Sequence, residues 1–303
     1  MAEVHHFTYG AFNPIAAYLL AFLGSFLGLL STGRARDART RGRRNRWLII
    51  AAFSIGGGAI WLMHFTAMLG FDVPDSPVRY NPVLTMASLA LSIVTVGIGL
   101  IVVGHGPRKP GKIMIAGTIT GLGVLAMHYT GMEGLHVAGT IHYRPTLVAA
   151  SGLIAVTAAT VALWFTVAVR GWYRVAAASA VMGVAVCGMH YTGMAAMWVQ
   201  LDPMPKGAVE GLRPLVMIVP ITLVTAATIL AVALSALQAM TEEEFTDGAG
   251  IPKRGVHAEP TSWSLRQTTA AAFRRTAGMR PSPRPVPVRQ HSTEETLAPA
   301  NGR

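Results

Sequence analysis

The sequence predicts an all-α, polytopic membrane protein with seven transmembrane helices, in which a lead helix is followed by three repeated helix pairs. Hydrophobic residues make up 52% of the 303 residues and charged residues only 13%, about half the charged share of a soluble domain. The apolar residues stand in continuous runs, which favours membrane helices over alternating strands. A short motif that recurs three times in these runs indicates the repeat.

Seven apolar runs have roughly the 20 residues that a bilayer span requires. In chain order they are Pro14–Ser31, Trp47–Phe71, Val83–Val103, Ile113–Met132, Thr146–Val169, Val175–Trp198 and Pro214–Leu237. The first run lacks an Ala-x-Ala cleavage pattern and a positive leader, so we expect a retained helix and not a signal peptide.

Basic residues concentrate in alternate connections between the predicted helices. Seven arginines lie between the first two spans, whereas residues 1–13 contain none. Because basic loops remain in the cytoplasm, we predict a multi-pass membrane protein with its N-terminus outside and its C-terminus inside. The net charge of +11 therefore indicates contact with anionic membrane lipids and not with nucleic acid.

Three regions follow from this pattern. Residues 1–13 are expected to form an external N-terminal arm, and residues 14–240 the membrane domain. Residues 241–303 are rich in Arg, Pro, Ser and Thr, which cannot bury a core, so we expect a disordered cytoplasmic tail. The chain contains no P-loop and no nucleophile elbow, and we expect it not to be an enzyme.

The repeated motif carries the chemistry. Met-His-Tyr-Thr-Gly-Met occurs at residues 127–132 and 189–194, and Met-His-Phe-Thr-Ala-Met at residues 63–68. Each copy ends an even-numbered predicted helix, so equivalent helices should turn the same face inward. We therefore predict that His64, His128 and His190 converge in space. A glycine seven residues before each histidine (Gly57, Gly121, Gly183) should allow close helix packing.

A shared site of this composition suits a soft or borderline metal. Residues four apart share a helix face, so each histidine lies beside a methionine. In the third copy Met197 would extend the face formed by His190 and Met194. Imidazole with thioether favours copper, whereas zinc rarely uses methionine. The candidate ligands are Met63, His64, Met68, Met127, His128, Met132, Met189, His190 and Met194.

Other interpretations of the motif stay open. His/Met pairs also bind haem axially. Methionine in a membrane helix is more often apolar filling, so the motif could serve packing alone. Tyr129 and Tyr191 are interpreted as anchors at the membrane interface.

The motif and its place on the second, fourth and sixth helices resemble the bacterial MHYT-domain integral membrane sensors, over residues 10 to 240. The resemblance implies a copper site formed by the motif Met and His residues, which senses a diatomic gas such as oxygen, carbon monoxide or nitric oxide. Phe65 departs from the motif tyrosine. Many relatives carry a cyclic di-GMP module after the helices, which the composition of the tail does not support here.

We therefore expect a membrane sensor with a copper site near the outer face and a cytoplasmic signalling partner reached through the basic loops or the tail. The alternatives are a metal-handling protein or transporter, a haem-binding protein and a purely structural protein. Transport is disfavoured because charged residues are absent from the span interiors.

Overall fold

Six helices in the computed structural model are long and apolar enough to cross a membrane. The structure describes residues 3–107, 109–202 and 208–217, with positions 219, 223, 226, 227 and 230. The helices are α1 Phe12–Asp37, α2 Arg41–Met68, α3 Pro82–Gly104, α4 Pro110–Glu133, α5 Pro145–Ala168 and α6 Trp172–Ala196. Each matches one of the first six predicted spans.

The remaining predicted segments lie mostly outside the residues that the structure describes. The seventh predicted span, Pro214–Leu237, opens with a 3₁₀ turn at Pro214–Met217 and otherwise lies largely outside the described residues, as does the predicted tail at 241–303. The helical, multi-pass class is confirmed by the six helices. Large apolar side chains such as Leu153, Ile115 and Val184 are exposed on the helix surfaces and meet lipid.

Helices that carry the motif alternate around the bundle with helices that lack it. Packing contacts place α3 between α2 and α4, and α5 between α4 and α6. The lead helix α1 packs against both α6 and α2, so it takes the equivalent third position. The three helices that carry the motif are thus each flanked by two of the helices α1, α3 and α5, and their ends can face a common axis.

The shared position of α1, α3 and α5 is also visible at their first residues. Phe12-Asn13-Pro14, Tyr80-Asn81-Pro82 and Tyr143-Arg144-Pro145 open the three helices with an aromatic residue two positions before a proline. Proline is favoured in the first turn because it has no N–H group to leave unpaired. In α3 the Asn81 side chain accepts hydrogen bonds from Val83 N at 2.9 Å and Leu84 N at 3.2 Å.

The middle of α2 is a π-helix, Phe53–Leu62. Such geometry is rare, is usually limited to one turn and is often found near functional sites. Ser92 Oγ of α3 donates to the carbonyl oxygen of Gly56 at 2.8 Å. A Cβ on Gly56 would stand 2.9 Å from Ile93 Cα. This glycine therefore lets the widened helix lie directly against α3.

Glycines have the same role in the other motif helices. A Cβ on Gly121 would stand 2.5 Å from Val156 Cα of α5, and one on Gly183 would stand 3.1 Å from the Tyr18 ring of α1. These two positions confirm the predicted close approach. In the first repeat Gly56 makes such a close contact with α3, and the role of Gly57 stays a prediction.

Two short antiparallel sheets cover the motif end of the bundle. Strand β1 Arg79–Tyr80 pairs with β2 Leu135–His136, and β3 Gly139–Tyr143 pairs with β4 Met197–Leu201. The prediction that Met197 extends the helical stripe of His190 is wrong, because α6 ends at Ala196 and Met197 begins β4.

The N-terminal arm lies at the same end. His5 and Asp72 exchange two backbone hydrogen bonds of 2.9 Å, and Thr8 Oγ1 donates to the carbonyl oxygen of Gly70 at 2.9 Å. Asn13 Nδ2 donates to the carbonyl oxygen of Thr66 at 3.1 Å. The arm is therefore fixed to the end of α2 that carries the first motif.

Candidate metal centre

Three histidines from three helices meet between the motif helices, near the end of the bundle that the strands cover. The Nδ1 atoms of His64 and His190 are 3.0 Å apart, and those of His128 and His64 are 3.2 Å apart. Ligand atoms of all three rings lie within 4.8 Å of one another. The predicted convergence is confirmed, and we call these residues the histidine triad.

The triad is closed off from its surroundings. His64 and His190 are each 1% exposed and His128 is not exposed at all. The rings stand nearly perpendicular to one another, with centroids 4.9 to 5.3 Å apart. Among the residues that the structure describes, no other group of three or more His, Cys, Asp or Glu is close enough to hold a metal ion.

The spacing of the nitrogens fits a metal ion. Two ligands bound at about 2.0 Å to a tetrahedral ion are about 3.3 Å apart, close to the two measured Nδ1 separations. A neutral imidazole carries one proton on one of its two nitrogens. His64 Nδ1 therefore cannot make good hydrogen bonds to both neighbouring Nδ1 atoms at once, whereas one cation would satisfy all three lone pairs.

The Nε2 atoms, on the outer side of the rings, have surroundings that are less typical of a metal site. Nε2 of His64 and Nε2 of His128 are buried and have no hydrogen-bond partner within the described chain. Metal-bound histidines usually donate from their second nitrogen to a carboxylate, carbonyl or water. The three Nδ1 atoms therefore fit a metal ion, whereas the groups around the Nε2 atoms contribute packing rather than hydrogen bonds.

Each of these outer nitrogens lies against a glycine of another motif helix. A Cβ on Gly131 would stand 2.7 Å from His64 Nε2, and one on Gly193 would stand 2.3 Å from His128 Nε2. Gly131 and Gly193 occupy the same motif position, three residues after the local histidine. The first copy has Ala67 there, which is buried. The motif glycine thus provides the space for the ring of the preceding repeat.

The predicted methionine ligands are all buried but are not all in one cluster. Five belong to the main hydrophobic core: Met68, Met127, Met132, Met189 and Met194. Met63 packs with Ala17, Ala21 and Ala67 in a separate small cluster beside α1. The structure therefore brings the three histidines together and buries the six methionines in the core, and the role of the methionines as ligands stays a prediction.

Aromatic residues form a second layer toward the strands and the arm. The residue after each histidine packs against a ring from outside the motif: Phe65 on Tyr80, Tyr129 on Tyr143 and Tyr191 on Phe7, with centroids 6.2, 5.4 and 5.7 Å apart. Tyr129 and Tyr191 thus pack within the protein, which the interpretation as membrane anchors did not include. The aromatic residue two positions before Pro82 and Pro145 was the sequence signal for Tyr80 and Tyr143.

Two hydroxyl groups in this layer, those of Tyr129 and Tyr80, form hydrogen bonds within the protein. Tyr129 and Ser151 hydroxyls are 3.1 Å apart, and Tyr80 donates to the carbonyl oxygen of Met68 at 3.2 Å. Burial, together with Glu133 and Tyr129, raises the pKa of Tyr143 to about 12. Burial also raises the pKa of Tyr80. Both phenols therefore remain neutral at physiological pH.

Comparison with known proteins identifies this arrangement. The MHYT profile, described as a bacterial signalling protein N-terminal repeat, matches residues 57–116, 121–179 and 183–242, together more than half of the chain. The chain belongs to the MHYT family. Each MHYT repeat contributes one histidine to the triad, which explains why the three residues occupy equivalent positions on their helices.

Curated relatives carry the MHYT region within longer proteins. The bifunctional diguanylate cyclase/cyclic di-GMP phosphodiesterase MucR of Pseudomonas aeruginosa is 37% identical over 74% of this chain and 34% of its own length. The cyclic di-GMP phosphodiesterase NbdA of the same organism is 34% identical over 63% of the chain and 24% of its own length. The signaling protein YkoW of Bacillus subtilis is 29% identical over 67% and 26%, respectively.

The matched part thus spans about a third or less of these MHYT relatives. No solved structure matches the chain. The comparisons establish a multi-pass membrane protein of a signalling family.

Proposed function

We propose that this protein is a membrane sensor that binds copper at the histidine triad and responds to a diatomic gas such as oxygen, carbon monoxide or nitric oxide. The main observation in support of this proposal is the convergence of three buried Nδ1 atoms from three equivalent helices. Membership of the MHYT signalling family supports the sensory role.

His64, His128 and His190 would hold the ion through Nδ1. Imidazole binds both oxidation states of copper, and nearby thioethers would favour Cu(I). Copper would supply a redox-active centre with affinity for small diatomic molecules. The protein's own contribution is a buried, apolar and rigid setting, in which the motif glycines and the aromatic layer fix the rings.

A change at the triad is also a change in helix packing, because each histidine belongs to a different helix. The opposite end of the bundle is basic, and two helices that meet there, α1 and α5, pack against the motif helices. Arg36 of α1 donates to the carbonyl oxygens of Thr166 at 2.5 Å and Val169 at 2.7 Å, at the end of α5. Movement of the motif helices would therefore reach the basic surface.

The signal would pass to a cytoplasmic partner through this basic end or through residues 241–303. MucR and NbdA are named as enzymes of cyclic di-GMP, so a cyclic di-GMP enzyme is the class of partner that we favour. This chain would act as the sensor and not as the enzyme. Its proposed setting is the inner membrane, with residues 1–13 as an outer arm, residues 14–240 as the membrane domain and the tail in the cytoplasm.

Copper per protein after purification tests the proposal. The wild type should retain copper, and the triple variant His64→Ala, His128→Ala, His190→Ala should lose it. His105→Ala, at the opposite end of α3, is the matched control and should keep it. Equal copper in the wild type and the triple variant would overturn the metal site. A haem spectrum would favour the haem alternative, and copper flux in proteoliposomes would favour a transporter.

A further inference from the structure

An apolar chamber of about 60 Å³ lies beside the histidine triad, and all six helices contribute to its wall. Ile60, Val124 and Val186 line it, and each stands four residues before a motif histidine. That distance is about one helical turn. Met189, which directly precedes His190, lines the chamber as well. The chamber is therefore separated from the triad by about one turn of each motif helix.

Three hydroxyl side chains, Ser25, Thr120 and Thr166, stand in an otherwise apolar wall and offer water few hydrogen bonds. Thr166 Oγ1 already donates to the carbonyl oxygen of Leu163 at 2.6 Å. Ser25 Oγ lines the chamber and is buried without a hydrogen-bond partner among the described residues. A buried water usually makes about three hydrogen bonds, and apolar cavities without such partners stay dry and bind small apolar molecules. The chamber resembles such an apolar cavity, so it should stay dry and bind small apolar molecules.

A cleft of about 400 Å³ between α5 and α6 leads toward this chamber from the side. Its outer residues include Leu153 and Val181, whose side chains are exposed on the surface of the described helices. Ala158, Met182 and Ala185 line both the cleft and the chamber. Two of these three are small, and methionine is flexible and unbranched. They form a thin, adaptable wall between the two spaces.

The geometry points to a binding site for a small apolar molecule, the size of a dissolved diatomic gas, which enters from the bilayer between α5 and α6 and occupies the chamber beside the triad. No charged side chain lines the chamber or the cleft among the described residues, so hydrated ions are excluded. The link from this site to signalling rests on the proposed function. The binding itself does not require copper.

Xenon is the probe for the chamber, either in crystals under xenon pressure or by xenon NMR of the purified protein. One xenon atom should bind among Ile60, Val124 and Val186 in the wild type. Ala159→Leu places three carbon atoms into the chamber wall and should abolish that site. Ala149→Leu makes the same change on the exposed side of α5 and should leave it intact. Ordered water in the chamber, or xenon retained by Ala159→Leu, would overturn the inference.

The entrance is tested separately. Met182→Phe should slow xenon exchange several-fold while the Ala149→Leu control exchanges at the wild-type rate. Unchanged exchange in Met182→Phe would place the entrance elsewhere. Copper content of the wild type, measured beside its xenon binding, separates the two hypotheses. Xenon bound by a wild type that purifies without copper would leave the chamber standing and refute the copper site. Copper retained by a wild type that binds no xenon would refute the chamber alone.

Discussion

A Cβ on Gly193 would stand 2.3 Å from Nε2 of His128, closer than Cβ atoms approach other heavy atoms in real structures. The equivalent pair, Gly131 and His64, shows the same relationship at 2.7 Å. The glycine of one motif copy therefore determines where the histidine of the preceding copy can lie. This makes the motif a packing unit between repeats as well as a source of ligands.

Gly193→Ala should therefore displace the His128 ring and weaken metal binding. Changes in groups that orient metal ligands commonly cost roughly ten- to hundredfold in affinity, and we expect a loss of that size. Alanine has the higher helix propensity, so α6 itself should not be weakened by the change. The measurement is copper affinity by competition with a chelator of known strength.

Gly188→Ala provides the control for this prediction. It lies on the same helix, and a Cβ there would meet nothing within 4 Å. This variant should bind copper as the wild type does. Wild-type affinity in Gly193→Ala would show that the position of His128 relative to α6 is not important for the site.

The histidines should matter more to copper than the methionines. His128→Ala should remove most of the copper, because it deletes one of three converging nitrogens. Met132→Ala should only weaken binding and shift the preference toward Cu(II), because thioether mainly stabilises Cu(I). Copper content and the reduction potential of both variants check this. Equal loss in the two would make Met132 a ligand of the same importance as the histidine.

The convergence of the triad could be predicted from sequence because three equivalent helices had to turn the same residue to one side. The atoms that face one another could not, since which imidazole nitrogen points inward depends on rotamers set by the packing of Gly131 and Gly193. The place of α1 was also missed. Its start, Phe12-Asn13-Pro14, resembles the start of α3, Tyr80-Asn81-Pro82. The repeated motif does not indicate this relationship, because it lies on α2, α4 and α6 and not on α1 or α3.

The ends of the helices were predicted least well, for a physical reason. Hydrophobic runs mark where a chain can lie in lipid, and they do not show where hydrogen bonding changes from helix to strand. Met197 continues an apolar run from α6, yet its backbone pairs with Tyr143 in a sheet. The π-helical segment of α2 was likewise not predicted, because its side chains are as apolar as those of any membrane helix.

Tyr143 should make the protein less stable at high pH. An unfolded tyrosine has a pKa of about 10, whereas that of Tyr143 is raised to about 12. Between these values the unfolded state releases the proton first, so folding stability is lost as pH rises through this window. Tyr143→Phe should reduce the drop in unfolding temperature between pH 9 and pH 11. Tyr9→Phe, at an exposed position, should show the wild-type drop.

The last prediction concerns orientation. The backbone pairing of His5 with Asp72 places the arm at the motif end of the bundle, whereas the arginines between α1 and α2 lie at the other end. Because basic connections stay in the cytoplasm, the motif end should face outward. Single-cysteine variants Tyr9→Cys and Gly42→Cys, made with Cys187→Ala, report the two ends. Both positions are exposed, and a Cβ on Gly42 meets nothing within 4 Å.

An impermeant maleimide added to intact cells should label Tyr9→Cys and leave Gly42→Cys unlabelled until the membrane is opened. Both variants should label equally in detergent, which controls for reactivity. The reverse pattern in intact cells would place the histidine triad near the cytoplasmic face. The basic end could then no longer meet a cytoplasmic partner, and the signal would have to leave the bundle through the strands and the N-terminal arm.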